Sequence, residues 1–191
     1  MKKAFTLSEI LVSLAVISAI LLILFSVLRV KPNSNMVLFR KAYNIASNTI
    51  FDMLQTGAYY ESGSLANVSA TPQKIEGENP AGASKFCKVF ASFVNTAGDV
   101  NCDKTSSNPS FSTLDGIDWY LPPKTTAGTF ASKEKIKVDV NGKVNIPNCE
   151  EGTPNCENPD IFVIEVSETG KISIPGEIAK QYLQNAKKIS K

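Results

Sequence analysis

The chain contains no histidine. Histidine is the commonest general base and the commonest zinc ligand, so its absence argues against hydrolase triads and catalytic zinc sites. The sequence also lacks a glycine-rich phosphate loop, a zinc-ligand pattern and a nucleophile elbow. These absences predict a protein that is not an enzyme and that carries no cofactor.

The chain also lacks a large excess of charge of either sign, since its formal net charge is +2. The lysines are dispersed, and no broad basic face indicates nucleic acid as the main partner. A few lysines gather near the C-terminus, at Lys180, Lys187, Lys188 and Lys191. Only one aromatic residue, Tyr182, lies among them, so a solvated helix end is favoured over a DNA contact.

Cysteine is sparse, and its four residues all follow a long apolar run: Cys87, Cys102, Cys149 and Cys156. An even number of cysteines on the exported side of such a run is typical of two disulfides. Three pairings are possible, and the two local pairs are favoured because each closes a short loop at low entropic cost. A four-thiolate metal site is the alternative, but structural zinc sites usually place two cysteines about two to four residues apart. No metal site is predicted.

Formal charge is absent from nineteen consecutive residues, Ile10 to Leu28. As a helix this run would cover about 28 Å, close to the hydrocarbon thickness of a bilayer. The run predicts a membrane-spanning helix. A cleaved secretory signal peptide is the alternative, but no A-x-A-like site follows the run.

An acidic residue, Glu9, directly precedes this run. An ionised side chain in a transmembrane segment costs several kcal/mol unless it is paired, so its presence indicates a function. A glutamate that merely reaches the membrane interface is the alternative.

The first residues read Lys2-Lys3-Ala4 and then Phe5-Thr6-Leu7-Ser8-Glu9. This is a basic leader that ends in a small residue, followed by Phe-Thr-Leu, one variable residue and Glu. Together with the apolar run, this motif resembles the N-terminal segment of the type IV pilin superfamily, which includes type IV pilins and the pseudopilins of type II secretion. The family usually has Gly where this chain has Ala4. The resemblance implies that prepilin peptidase cleaves between Ala4 and Phe5 and that the new amine of Phe5 is N-methylated. It also implies that Glu9 of one subunit pairs with the Phe5 amine of its neighbour.

The resemblance further implies a structural subunit of a type IV pilus or a type II secretion pseudopilus, assembled through its N-terminal helix. The implied partners are identical or related pilin subunits, prepilin peptidase, an inner-membrane assembly platform and the lipid bilayer before assembly. The implied location is the bacterial inner membrane, with a single pass and an extracytoplasmic head, and then a surface pilus or periplasmic pseudopilus. The alternative is a membrane-anchored extracytoplasmic binding protein with an uncleaved signal anchor.

Helical periodicity resumes after Pro32, and it gives one apolar stripe: Phe39, Ala42, Tyr43, Ala46, Ile50, Met53 and Leu54. The chain is therefore predicted to have four regions: a cleaved leader at 1–4, a transmembrane and assembly helix at 5–30, its amphipathic continuation at 31–58 and an extracytoplasmic globular head at 59–191. The predicted fold class is α+β, pilin-like, with a long N-terminal helix packed on a small antiparallel sheet.

Local patterns divide the head further. Residues 59–84 predict a connecting loop, and Phe86, Val89 and Phe90 recur at helical spacing. Four or five strands are expected, beginning with a hairpin about Asp115-Gly116 and including the segments from Lys135 to Val140 and from Ile161 to Val166. Residues 177–190 predict a terminal helix with Ile178, Tyr182 and Leu183 facing inward.

Hard oxygen ligands are concentrated between Asp139 and Asp160. Their spacing does not match an EF-hand, and Lys143 lies among them, so an Asn141-Gly142 turn with solvated acids is favoured over a calcium loop.

Overall fold

The computed structural model describes residues 11–21, 34–102, 108–122, 133–142 and 148–189, with side chains described as far as residue 184. The chain divides into two compact units, Met1–Ser34 and Asn35–Lys191.

Four α-helices lie within the described residues. Helix α1 covers residues 11–21, and α2 is Ser34–Gln55. After a long loop and one 3-10 turn at Gly82–Ser84, α3 follows at Lys85–Ser92. The terminal helix α4 is Glu177–Ile189, close to the range predicted from the sequence.

The second unit contains one six-stranded antiparallel sheet in which each strand pairs with the next along the chain. The strands are β1 (Thr96–Ala97), β2 (Phe111–Thr113), β3 (Asp118–Tyr120), β4 (Lys133–Asp139), β5 (Ile161–Ser167) and β6 (Ile172–Ser173). The longest pairing joins β4 to β5, from Lys133 opposite Ser167 to Asp139 opposite Ile161. Alternation along β5 buries Phe162, Ile164 and Val166 on one face, as expected for a sheet with one face on the core.

The apolar stripe of α2 lies in the same core as this sheet face. Phe39, Ala42, Ala46, Ile50 and Met53 are almost fully buried, and the Phe39 ring centroid is 4.6 Å from that of Phe162. The sequence-based prediction of an amphipathic helix here is therefore confirmed.

Helix α3 adds an aromatic group to the same core. Phe90 lies 5.5 Å from Trp119, measured between ring centroids, and Trp119 stacks on Phe111 at 6.0 Å. The loop between α2 and α3 has little regular structure, as predicted, but it contributes the buried Tyr60 and Leu65.

The predicted fold class is wrong in its main element, the long N-terminal helix with a transmembrane half and an amphipathic half packed on the sheet. The described helices are short, and the described part of the apolar one, α1, has eleven residues and covers about 16 Å. Helix α2 is longer but alternates polar and apolar residues. The predicted interruption at Pro32 lies outside the described residues.

The predicted single-pass location in the bacterial inner membrane is also corrected. None of the helices in the described part of the chain is both long enough and apolar enough to cross a membrane. A bilayer core of about 30 Å requires roughly 20 apolar helical residues, and α1 supplies about half of that length.

Candidate functional site

Helix α1 exposes apolar side chains along its whole described length. Seven large apolar residues are between 46% and 64% exposed: Leu11, Val12, Leu14, Val16, Ile17, Ile20 and Leu21. Exposed apolar surface that is contiguous rather than scattered marks a place where another molecule binds.

The exposed residues of α1 surround the helix. With roughly 100° between successive residues, Val12 and Leu21 lie on opposite sides, and the other large residues fill the angles between them. The only polar residues of α1 are Ser13 and Ser18, and the Ser18 hydroxyl donates to the Leu14 carbonyl oxygen at 2.8 Å. A helix that is apolar on every side is typical of a buried helix.

The predicted processing and assembly residues, Ala4, Phe5 and Glu9, lie outside the described residues. Cleavage, methylation and the intersubunit charge pair therefore stay predictions.

All four cysteines form disulfides in the favoured local pairing. Cys87 bonds Cys102 across a separation of 15 residues, and Cys149 bonds Cys156 across 7. The first pair tethers α3 to the segment before β2, and the second closes a loop before β5. This connectivity confirms the predicted disulfides.

Three aspartates are buried in the head: Asp118, Asp139 and Asp160. Asp118 and Asp139 are opposite each other in the β3–β4 pairing. Asp160 accepts hydrogen bonds from the backbone N–H groups of Asn148 and Cys149, both at 2.7 Å. The expectation of solvated acids in this stretch is therefore wrong for Asp139 and Asp160, because strand pairing and the loop at 148–149 enclose them.

Asp139 is the least compensated of the three. Burial, followed by repulsion from Asp160, raises the pKa of Asp139 to about 6, although backbone N–H groups of Asn141 and Gly142 oppose this. Its Oδ1 atom has no hydrogen-bond partner within the described residues. Even so, the described residues contain no group of three or more Asp, Glu, Cys or His side chains that could hold a metal ion.

The chain bends at Asn141 and is packed closely at Gly142, while the rest of the predicted turn lies outside the described residues. Gly142 has a φ of +76°, and a Cβ at this position would lie 2.8 Å from the Gly116 carbonyl oxygen. Glycine is therefore required here both for its conformation and for the close approach of the β2–β3 turn.

Lys85 is a buried charge that the sequence analysis missed. It is 2% exposed, its Nζ atom donates to the Asn67 carbonyl oxygen at 2.9 Å, and it lies 4.2 Å from the ring centroid of Tyr60. Burial lowers the pKa of Lys85, while attraction from Glu61 opposes that shift. No local pattern distinguishes this lysine from an exposed one, because its partners come from the loop.

A groove of about 410 Å³ lies beside the first disulfide, next to α3 and β1. Its wall includes Glu78 and Lys88, which form an ion pair at 3.0 Å. The groove residues therefore offer one exposed ion pair and no arrangement of nucleophile and base.

The predicted C-terminal basic patch is described only at Lys180, which pairs with Glu177 at 2.6 Å. The side chains of Lys187, Lys188 and Lys191 lie outside the described residues.

Comparison of the chain with protein-family models, curated proteins and solved structures finds no match.

Proposed function

We propose that the chain is a structural subunit of a filament, a type IV pilus or a type II secretion pseudopilus, and that subunits associate through α1. The observation that carries this proposal is the exposure of apolar side chains around α1. The resemblance of the motif at Phe5 to Glu9 to the pilin superfamily supports the same assignment and identifies the neighbours as identical or related subunits.

The distribution of the apolar residues favours many neighbours over one. A dimer would cover one stripe of α1 and leave the opposite stripe in water. At about 25 cal/mol per Å² of apolar surface removed from water, enclosure from every side stabilises the assembly more than a single contact does. A helical array of subunits provides such an enclosure.

The proposal extends to the processing of the N-terminus. Prepilin peptidase removes residues 1–4, and the methylated amine of Phe5 then pairs with Glu9 of a neighbouring subunit. Burial of either charge alone among apolar helices would be costly, and the pair removes most of that cost.

Cross-linking distinguishes a filament from a dimer. All four native cysteines are in disulfides, so the double variant Val12→Cys, Leu21→Cys adds two thiols on opposite sides of α1. After a short bismaleimide reagent is added, we expect a ladder of trimers and larger species from purified assemblies. Each single variant is the matched control and stops at dimers.

A double variant that also stops at dimers would contradict the filament proposal. Mass spectrometry of the mature chain tests processing separately, with methylated Phe5 expected as the first residue. A mature chain that keeps Met1 would contradict the processing proposal and leave the cross-linking result to be judged by itself.

A further inference from the structure

The N-terminus of α4 is capped by a side chain from a distant loop. The Oε1 atom of Glu151 accepts hydrogen bonds from the backbone N–H groups of Ile178 at 2.5 Å and Ala179 at 3.3 Å. These N–H groups lie in the first turn of α4, where donors have no partner within the helix. A carboxylate at this end also complements the helix dipole.

The Glu151 carboxylate lies close to Gly176. A Cβ at that position would overlap the carboxylate, so a larger residue would displace it from the first turn of α4. Gly176 does not have a positive φ, so its glycine leaves space for the Glu151 cap rather than allowing an unusual backbone conformation.

Glu151 belongs to the loop that the second disulfide closes, between Cys149 and Cys156. Positive φ angles occur in or next to this loop at Asn148, Gly152 and Asn155, and glycine and asparagine are the residues that adopt this tightly turning conformation most readily. The loop is docked to the sheet where the Glu151 N–H group donates to the Ile161 carbonyl oxygen at 3.0 Å. The covalent closure therefore maintains a backbone path that places Glu151 at the start of α4.

The remaining contacts of α4 with the head are noncovalent. The Arg40 Nε atom donates to the Tyr182 carbonyl oxygen at 2.5 Å, and the Tyr182 ring lies edge-on to Phe162 at 5.7 Å. Ala179 is fully buried. These contacts hold one face of α4, but only the loop satisfies its first-turn donors.

Both disulfides include a cysteine that a soluble thiol can reach. Cys149 and Cys156 are both partly exposed and so is Cys102, whereas Cys87 is 4% exposed. Thiol–disulfide exchange requires that a thiolate reach one of the two sulfur atoms. A soluble dithiol can therefore approach the second disulfide through either cysteine and the first through Cys102.

We propose that the disulfide between Cys149 and Cys156 is a redox-sensitive latch that holds α4 on the head. A soluble dithiol donates two electrons and two protons, becomes a disulfide and converts the cysteine pair to two thiols. The loop then relaxes, Glu151 leaves the first turn of α4 and the helix opens more often from that end, while the sheet stays folded. A soluble disulfide reverses the change by exchange: it takes up the two electrons and two protons, becomes a dithiol and leaves the cysteine pair as a disulfide. The latch does not depend on the proposed filament function.

Hydrogen exchange of the full chain, read by mass spectrometry, tests the latch. In the variant Cys149→Ser, Cys156→Ser, we expect exchange of the α4 amides to rise at least tenfold while β4 and β5 keep their protection. Limited treatment of the native protein with dithiothreitol, followed by alkylation to identify the opened pair, is expected to give the same pattern. The matched control is Cys87→Ser, Cys102→Ser, which should leave α4 protection unchanged.

Unchanged α4 protection in the Cys149→Ser, Cys156→Ser variant would overturn the proposal. Equal loss of protection in β4 and β5 would also overturn it, because the disulfide would then hold the whole head. Glu151→Ala tests the cap with both disulfides intact. It should loosen α4 more than Glu151→Gln, since the amide oxygen can still accept a hydrogen bond, and equal effects would contradict the role given to Glu151.

Discussion

Helix α1 and the head differ in which side chains they expose to solvent. In α1, isoleucine and leucine are about half exposed, whereas the head fully buries Ile136 and Ile164 and encloses charged residues such as Lys85 and Asp139. The head therefore encloses a core of its own, and the described part of α1 does not. This difference teaches that the two units are stabilised differently: the head has a core built from its own chain, whereas under the proposed function α1 is enclosed by neighbouring subunits.

The largest expected difference between the two units comes from one substitution made in both. Ile164 is fully buried in β5 and Ile17 is 53% exposed in α1. Ile164→Ala should lower the free energy of unfolding of the head by about 2–5 kcal/mol, because it leaves a cavity. Ile17→Ala should change it by less than about 0.5 kcal/mol. Urea unfolding of unassembled subunits measures both, and equal losses would mean that α1 is part of the head's folding unit.

A second prediction tests how far the head tolerates buried charge. The pKa of Asp139 rises from 3.8 to about 6 on folding, so ionisation of this buried carboxyl lowers the free energy of unfolding by about 3 kcal/mol. Because the folded pKa is the higher one, that free energy is fully present below pH 4, where the carboxyl is neutral, and is lost as the pH rises through 6. Asp139→Asn should therefore stabilise the head by about 1–3 kcal/mol at pH 8 and by much less at pH 4.

Denaturant unfolding at both pH values measures this effect. Asp52→Asn, at an exposed position of α2, is the control and should show no such pH-dependent gain. A variant that is no more stable than the native protein at pH 8 would mean that Asp139 is adequately compensated as a carboxylate.

A third prediction concerns the closeness of packing between α2 and the β5–β6 turn. Gly63 and Gly170 have φ angles of +64° and +78°, so alanine is strained at either position. Only at Gly170 would the added Cβ overlap a side chain, that of Leu54. Gly170→Ala should therefore cost about 1–2 kcal/mol more than Gly63→Ala in thermal unfolding. Equal costs would show that Leu54 moves aside freely.

The smallest expected effect is at the surface of the second compact unit, where α2 meets the β2–β3 turn. Lys41 and Asp115 form an ion pair at 2.8 Å, and Lys41 is 55% exposed. Burial favours the neutral acid, but hydrogen bonds from Lys41 and Thr113 and the charge of Lys41 hold the pKa of Asp115 below its usual value. Lys41→Ala should cost only about 0.2–1 kcal/mol, and less in 1 M salt. A loss of stability that salt leaves unchanged would indicate that packing, rather than charge, accounts for the contribution of Lys41.

The elements predicted best from the sequence are those whose periodicity is long. The apolar stripe of α2 and the alternation in β4 and β5 each repeat several times, so local pattern alone identifies them. β1 was missed because two residues, Thr96 and Ala97, carry too little pattern to show a strand. The continuous apolar run misled the prediction in another way, since its composition predicts one spanning helix and the described helices are shorter.

Nonlocal contacts account for the rest of what sequence reasoning missed. Leu65 reaches the core from a loop without periodicity, and its N–H group donates to the Glu168 carbonyl oxygen at 2.8 Å. Glu151 and Gly176 are adjacent only in the folded chain. Such pairs are separated by many residues and leave no periodic signal, so only coordinates show them.

The order of the strands has a consequence for how the head forms. Because every strand pairs with its neighbour in the chain, the sheet can grow in sequence order from β1 to β6, each strand adding to an edge that is already present. Mostly local pairing lowers the entropic cost of the folding transition state and favours rapid folding. Helix α4 follows the last strand, so we expect it to dock last, onto a sheet that is already complete.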